Sequence, residues 1–181
     1  IDIKNCVFKN NTAELDGGAL YVNNSNINLD KCLINNNYCD HNGGAIYAIA
    51  DARVEFIRST LVNNQSGWYT AFYLDCQNSY MHFNSSIVWD NDSWATGAGD
   101  CLESEGYEYY IDYSVSPGWN LGENNIFEDP QLNGDYSLQS SSPCIDSGDP
   151  DLENDPDGSR ADMGAYYYHY MLVNGCTDTE A

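Results

Sequence analysis

Basic side chains are scarce in this sequence. Six Lys and Arg stand against 28 Asp and Glu among 181 residues, a formal net charge of −22. Nucleic acids and anionic membrane surfaces are bound mainly through Lys and Arg, so neither is a candidate partner. Polyuronates are repelled as well unless cations bridge. Charge of this size primarily gives solubility in salty or calcium-rich surroundings. Long apolar runs are also missing, and no stretch is long enough to span a bilayer as a helix. Residues 1–94 show no sustained 3.6-residue period, which sets aside the helical repeat families. The three His residues fit no Ser-His-Asp order or zinc spacing, and there is no phosphate loop. There is no initiator Met and no signal peptide: Ile1 lies inside a strand signal. An unpaired edge there predicts a processed or excised part of something longer, or a second chain covering that end.

What the sequence does have is a repeat. Cys6, Cys32, Ser59 and Ser86 align at spacings of 26, 27 and 27, and so do Phe8, Ile34, Leu61 and Val88. Asn10, Asn36, Asn63 and Asp90 follow in the same register, then Asn11, Asn37, Asn64 and Asn91. A period in the twenties is the signature of a stacked solenoid. Each unit carries two short alternating segments, such as Ile27-Asn28-Leu29 and Gly44-Ala45-Ile46-Tyr47-Ala48. A unit this short cannot bury its own apolar face. Stacked, each strand pairs with its copy one coil on, about 4.8 Å away. The predicted fold is all-β: a right-handed parallel β-helix with coils of about 26–27 residues and an irregular C-terminal cap. Ile3/Leu29/Phe56/Phe83 and Leu20/Ile46/Phe72 are the expected inward ladders. The asparagine columns are expected at turns, where Asn tolerates left-handed backbone and its amide can reach the next coil. The predicted domain covers 1–174: regular coils over 1–94, an irregular insertion over 95–106, and a final coil with an acidic cap over 107–174. Residues 175–181 read as a linker or the start of a truncated Cys-rich module.

Seven Cys in so acidic a chain suggest an oxidising, extracellular setting. Cys6 and Cys32 share one ladder position and can bond or stack as small hydrophobes; the Ser residues at the next two coils favour stacking. Cys76, before the insertion, and Cys101, within it, form a plausible disulfide. Cys39 and Cys144 have no obvious partner, and Cys176 is the odd one out. Five N-x-S/T sequons, at Asn10, Asn23, Asn64, Asn84 and Asn91, are what an Asn-rich chain produces by chance.

The C-terminal third contains, in order, Asp129-Pro130-Gln131-Leu132, Gly134-Asp135-Tyr136-Ser137-Leu138, Ser142-Pro143-Cys144-Ile145-Asp146-Ser147-Gly148, Asp155-Pro156-Asp157-Gly158-Ser159-Arg160 and Asp162-Met163-Gly164-Ala165-Tyr166. Residues 110–170 thereby resemble the choice-of-anchor Q segment of bacterial surface proteins in the pectin-lyase-like β-helix superfamily. The coils are similar to the GGAI and F-x-x-N repeats of polymorphic outer-membrane proteins, with GGAL at Gly17–Leu20 and GGAI at Gly43–Ile46. The third coil departs, with Tyr69-Thr70-Ala71-Phe72. Gly175-Cys176-Thr177-Asp178 resembles the opening of a small Cys-rich module. These resemblances imply a secreted or cell-surface protein and imply no reaction.

Three groups of residues are candidates for function. Asp151, Glu153, Asp155, Asp157 and Asp162 crowd one loop with hard oxygen ligands that suit Ca²⁺, although the spacing is not that of an EF-hand. The competing expectation is a solvated acidic cap tied by Arg160. Tyr21, Tyr47 and Tyr73 recur every 26 residues beside inward ladder residues, so alternation turns them outward, with Trp68 and Tyr69 near the same face. Such a stripe can stack on sugar rings or can simply form an aromatic ladder. Glu55 and His82 are 27 apart on an outward face, and Lys31 and Arg58 are 27 apart nearby; this is where acid, base and cation can converge. A β-helix glycosidase needs clustered carboxylates, and only Asp2 and Glu55 share a column, separated by Asn28. His41 and His169 read as incidental. The expected function is a structural or adhesive surface module that binds carbohydrate or a neighbouring subunit, or self-associates through its uncapped first coil. The alternative is a polysaccharide lyase or glycoside hydrolase.

Overall fold

The computed structural model describes residues 1–68, 71–74, 79–91, 97–98, 108–117 and 122–170. It is a parallel β-solenoid, and no helix occurs among the described residues. The first coil holds β1 (Asp2–Lys4), β2 (Val7–Lys9), β3 (Thr12–Ala13) and β4 (Leu20–Asn23). The second holds β5 (Asn26–Asp30), β6 (Leu33–Asn35), β7 (Tyr38–Cys39) and β8 (Ile46–Ile49), and the third β9 (Arg53–Ile57), β10 (Thr60–Val62), β11 (Gln65–Ser66) and β12 (Phe72–Leu74). The fourth has β13 (Tyr80–Asn84), β14 (Ile87–Trp89) and β15 (Gly97–Ala98), and β16 (Glu108–Asp112) follows. Stacking produces four sheets: sheet A, β1-β5-β9-β13-β16; sheet B, β2-β6-β10-β14; sheet C, β3-β7-β11; and sheet D, β4-β8-β12-β15.

Registers match the repeat. Ile3 pairs with Leu29, Leu29 with Phe56, Phe56 with Phe83, and Leu20 with Ile46 with Phe72. These side chains fill one core; Phe56 and Phe83 stack at 4.8 Å and Phe72 meets Phe83 edge-on at 5.6 Å.

Two columns of left-handed residues turn the corners. Asn10, Asn36, Asn63 and Asp90 have φ of 56°, 53°, 56° and 49° between sheets B and C. The next column carries the cross-coil bonds instead. Asn37 Nδ2 donates to Asn64 Oδ1 at 2.9 Å, which also accepts the Asn37 N–H at 3.1 Å, and Asn64 repeats this with Asn91. The second corner, between sheets A and B, uses Asn5, Lys31, Arg58, Ser85 and Tyr113, all at φ between 44° and 53°. Four of those five types resist that conformation. The hydroxyl ladder beside them offsets the strain: the Cys32, Ser59 and Ser86 N–H groups donate to the Oγ atoms of Ser59, Ser86 and Ser114, and Asn125 Oδ1 ends the series. Cys32 occupies a serine-like place, its Sγ facing the Ile3 and Asp30 carbonyls.

In the Gly-Gly pairs the first glycine is left-handed, with Gly43 at φ 76°. At the second, Gly44, a Cβ would lie 2.0 Å from the Gln65 carbonyl oxygen, so the next coil excludes any side chain.

The 107–174 segment, expected as a final coil and acidic cap, adds β16 to sheet A and bridges Val115 to Ile87 and Ile126. It then runs back along the outer face of sheet B. Leu33, Val62 and Ile87 point outward there and are covered by Val115, Leu138, Cys144, Met163 and Ala165. Polar pins fix the docking: the Ala165 N–H donates to Thr60 Oγ1, the Gly164 N–H to the Ser85 carbonyl, and Asn35 and Asn36 donate to Tyr136 Oη. This explains why all three residues of β6 and of β10 are buried.

Candidate functional site

Sheet D places Tyr21, Tyr47 and Tyr73 in one register on its outer face. Their rings stack on one another, at 5.3 Å for Tyr21–Tyr47 and 4.5 Å for Tyr47–Tyr73, with interplanar angles of 21° and 10°. Both faces of the Tyr47 ring are therefore occupied by its neighbours. The ladder presents ring edges and hydroxyls, with an accessible face at the 54 %-exposed Tyr21. Trp68 stands at the turn after β11, 60 % exposed, with one indole face on the His41 imidazole at 4.0 Å. His41, read as incidental from sequence, thus positions the most exposed large ring of this side. Tyr69 lies outside the described residues.

Sheet A carries a second aromatic face. Glu55 and His82 are register neighbours, as their spacing of 27 predicts. His82 Nε2 sits 3.1 Å from Asp112 Oδ2, and the other Asp112 oxygen accepts the Glu123 N–H at 2.7 Å. Tyr80 and Tyr110 flank the imidazole at 6.0 and 6.4 Å, and the Arg53 guanidinium lies 5.7 Å from the Tyr80 ring centre. Asp112, Tyr110, Tyr80 and Arg53 were missed in the sequence reading. The signal was available, because Tyr110 stands one coil beyond His82 in the column that holds Glu55.

Lys31 and Arg58 do not join this face. Both sit at the corner between sheets A and B. Arg58 is committed to Asp30, with Nη2 at 3.0 and 3.2 Å from the two carboxylate oxygens, and Lys4 Nζ is 3.5 Å from the same Asp. The side chain of Arg58 is mostly buried, which makes this a built ion pair rather than a mobile cation. Acid, base and cation therefore do not converge as the spacing allowed.

The acidic loop divides by burial. Asp151, Glu153 and Asp157 are exposed, and Asp157 Oδ1 accepts the Ser159 N–H and hydroxyl. Asp155 and Asp162 are buried: Asp155 Oδ2 accepts the Asp162 N–H, and Asp162 accepts those of Asp146 and Tyr168. Burial pushes Asp162 up to about 6, against the downward pull of its two N–H donors, and it raises Asp155 too. Arg160 ties the loop through the Gly148 carbonyl and the Tyr113 ring rather than through a carboxylate. Among the described residues no three His, Cys, Asp or Glu are grouped to hold a metal. Cys6 and Cys32 are separate free thiols, as are Cys39 and Cys144. Cys76, Cys101 and Cys176 lie outside the described residues.

Comparison with known proteins agrees with this architecture. Residues 5–23 and 31–49 match the Chlamydia polymorphic membrane protein repeat, each copy running from the A–B corner to the end of the sheet D strand. No curated protein and no solved structure matches the chain. The chain is thus a parallel β-solenoid, two successive coils of which are similar to that repeat.

Proposed function

We propose that this protein is a cell-surface β-helix module that holds a rigid acidic surface against carbohydrate or a neighbouring subunit. The observation that carries the surface role is the match of two consecutive coils to a polymorphic membrane protein repeat. The resemblance of residues 110–170 to a choice-of-anchor Q segment of the pectin-lyase-like superfamily supports the same reading. So does the formal charge of −22, which suits a solvated surface. No helix among the described residues is long and apolar enough to cross a membrane.

For the adhesive role, Tyr21 and Trp68 offer exposed ring faces, and Tyr21 is stacked on Tyr47. A pyranose C–H face on Trp68 or Tyr21 is the contact this geometry favours. A neighbouring subunit is the alternative occupant of the same rigid surface. Two measurements test the proposal. An antibody should label intact cells of the source organism as strongly as permeabilised ones. On a glycan array the protein should retain glycans without altering them, and Trp68→Ala or Tyr47→Ala should weaken retention. Labelling only after permeabilisation sinks the surface role. Concentration-dependent growth in light scattering favours subunit contact.

The sheet A face supports a second reading, a carbohydrate-active enzyme, because His82, flanked by two tyrosine rings, is the register neighbour of Glu55 and meets Asp112. Glycoside hydrolysis uses a pair of carboxylates, and Glu55 and Asp112, each beside His82, are the pair this face offers. Incubation with neutral and acidic glycans, with and without Ca²⁺, tests it. New reducing or unsaturated ends that Glu55→Ala abolishes establish turnover; their absence across the panel rejects it.

A further inference from the structure

A polar groove lies where the C-terminal segment meets the corner between sheets B and C. Its cavity, of about 240 Å³, has Asn63, Trp89, Asp90, Asp129, Leu132 and Tyr136 in its lining. Asn133, also in the lining, spends its amide on Ser137 and the Leu138 carbonyl, but other polar groups remain uncommitted. The side chains of Asn63 and Asp90 make no hydrogen bond within the described protein, and Asp129 spends one oxygen on the Gln131 N–H. Tyr136 Oη accepts from Asn35 and Asn36, which leaves its proton to donate.

We propose that this groove binds a single neutral sugar ring. The carboxylates of Asp90 and Asp129 accept from hydroxyls, the Asn63 amide supplies both a donor and an acceptor, and Trp89 and Tyr136 offer apolar surface to the ring carbons. Two carboxylates and no cation in the lining exclude phosphates, sulfates and uronates. The volume lies below the range of drug-sized sites, which fits one monosaccharide unit. This site is separate from the tyrosine ladder of sheet D and does not rest on it.

The design of the corner supplies a clean test. Asn63 and Asp90 are left-handed, at φ 56° and 49°, so glycine removes either side chain without backbone strain. Methyl glycosides of glucose, galactose, mannose, fucose and N-acetylglucosamine, with glucuronate and glucose 6-phosphate as controls, are titrated into the protein and followed by saturation-transfer NMR. At least one neutral glycoside should bind with a dissociation constant on the order of 1 mM. The double variant Asn63→Gly/Asp90→Gly should weaken it at least tenfold with an unchanged circular dichroism spectrum, whereas Glu14→Gln, at an exposed carboxylate outside the lining, should leave it unchanged. Should the double variant unfold, Asp129→Asn decides, with at least a threefold loss expected. Saturation by none of the neutral sugars, tighter binding of either anion, or equal affinity in the groove variants overturns the proposal. Binding lost through Tyr47→Ala alone would assign it to the ladder instead.

Discussion

Asn64 has no exposed surface, and its side chain works in three directions: Oδ1 accepts from Asn37, while Nδ2 donates to the Ile34 carbonyl and to Asn91 Oδ1. Asn64→Ala strands several buried donors and acceptors at once. A loss of about 2–4 kcal/mol is expected, against less than about 1 kcal/mol for Asn11→Ala, which only donates from the exposed end of the ladder. Urea denaturation of the two variants checks this; equal losses would mean the ladder is not a stabilising chain. Asp162 behaves oppositely to a paired surface carboxylate. It is 4 % exposed, and its raised pKa means that the folded state holds the proton more tightly than the unfolded chain. Its contribution is fully present below about pH 4 and is lost as pH rises through about 6, a change of about 3 kcal/mol. Asp155 is raised as well and adds with the same sign. Unfolding free energies measured from pH 4 to 7 should therefore fall with rising pH, and Asp162→Asn should flatten that slope.

At the level of elements, sheet B differs from the others because both of its faces are buried. Its outer residues have a hydrophobic partner only because the C-terminal segment lies across them. Met163, 1 % exposed in that second cluster, holds the two together. Met163→Ala should cost about 2–5 kcal/mol and should expose the sheet B face to dye binding before the coils melt. The coil-to-coil approach at sheet D is equally strict. Gly44→Ala must push a Cβ against the Gln65 carbonyl and should cost about 3 kcal/mol or more. Gly134→Ala meets nothing within 4 Å, so its melting temperature should hold or rise slightly. Scanning calorimetry of the pair separates packing from mere loss of glycine.

For the molecule as a whole, the dominant long-range term is self-repulsion from a formal charge of −22. Among the described residues the ion pairs with Lys and Arg both converge on Asp30, so the other carboxylates are relieved chiefly by hydrogen bonds and solvent. Raising NaCl from low to moderate concentration should raise the melting temperature by roughly 2–6 °C. A drop instead would show that the ion pairs at Asp30 outweigh the repulsion.

The coils were legible in the sequence because a solenoid maps one residue column onto one place in space. The period gave the register of Leu29 with Phe56, the outward tyrosines, the asparagine ladder and the pairing of Glu55 with His82. Local periodicity carries no information about residues that meet outside the stack. Lys31 and Arg58 share a column but turn a left-handed corner, a conformation their side chains do not advertise. The tyrosine column was readable, but whether its rings stack on each other or stand free depends on their rotation in space. The acidic residues of 151–162 looked alike in sequence and were separated only by burial, which keeps Asp162 inside and Asp157 in water. Only tertiary structure turned the last third back across sheet B, because that contact joins residues about a hundred positions apart. That fold-back covers Leu33, Val62 and Ile87 and creates the groove beside Trp89.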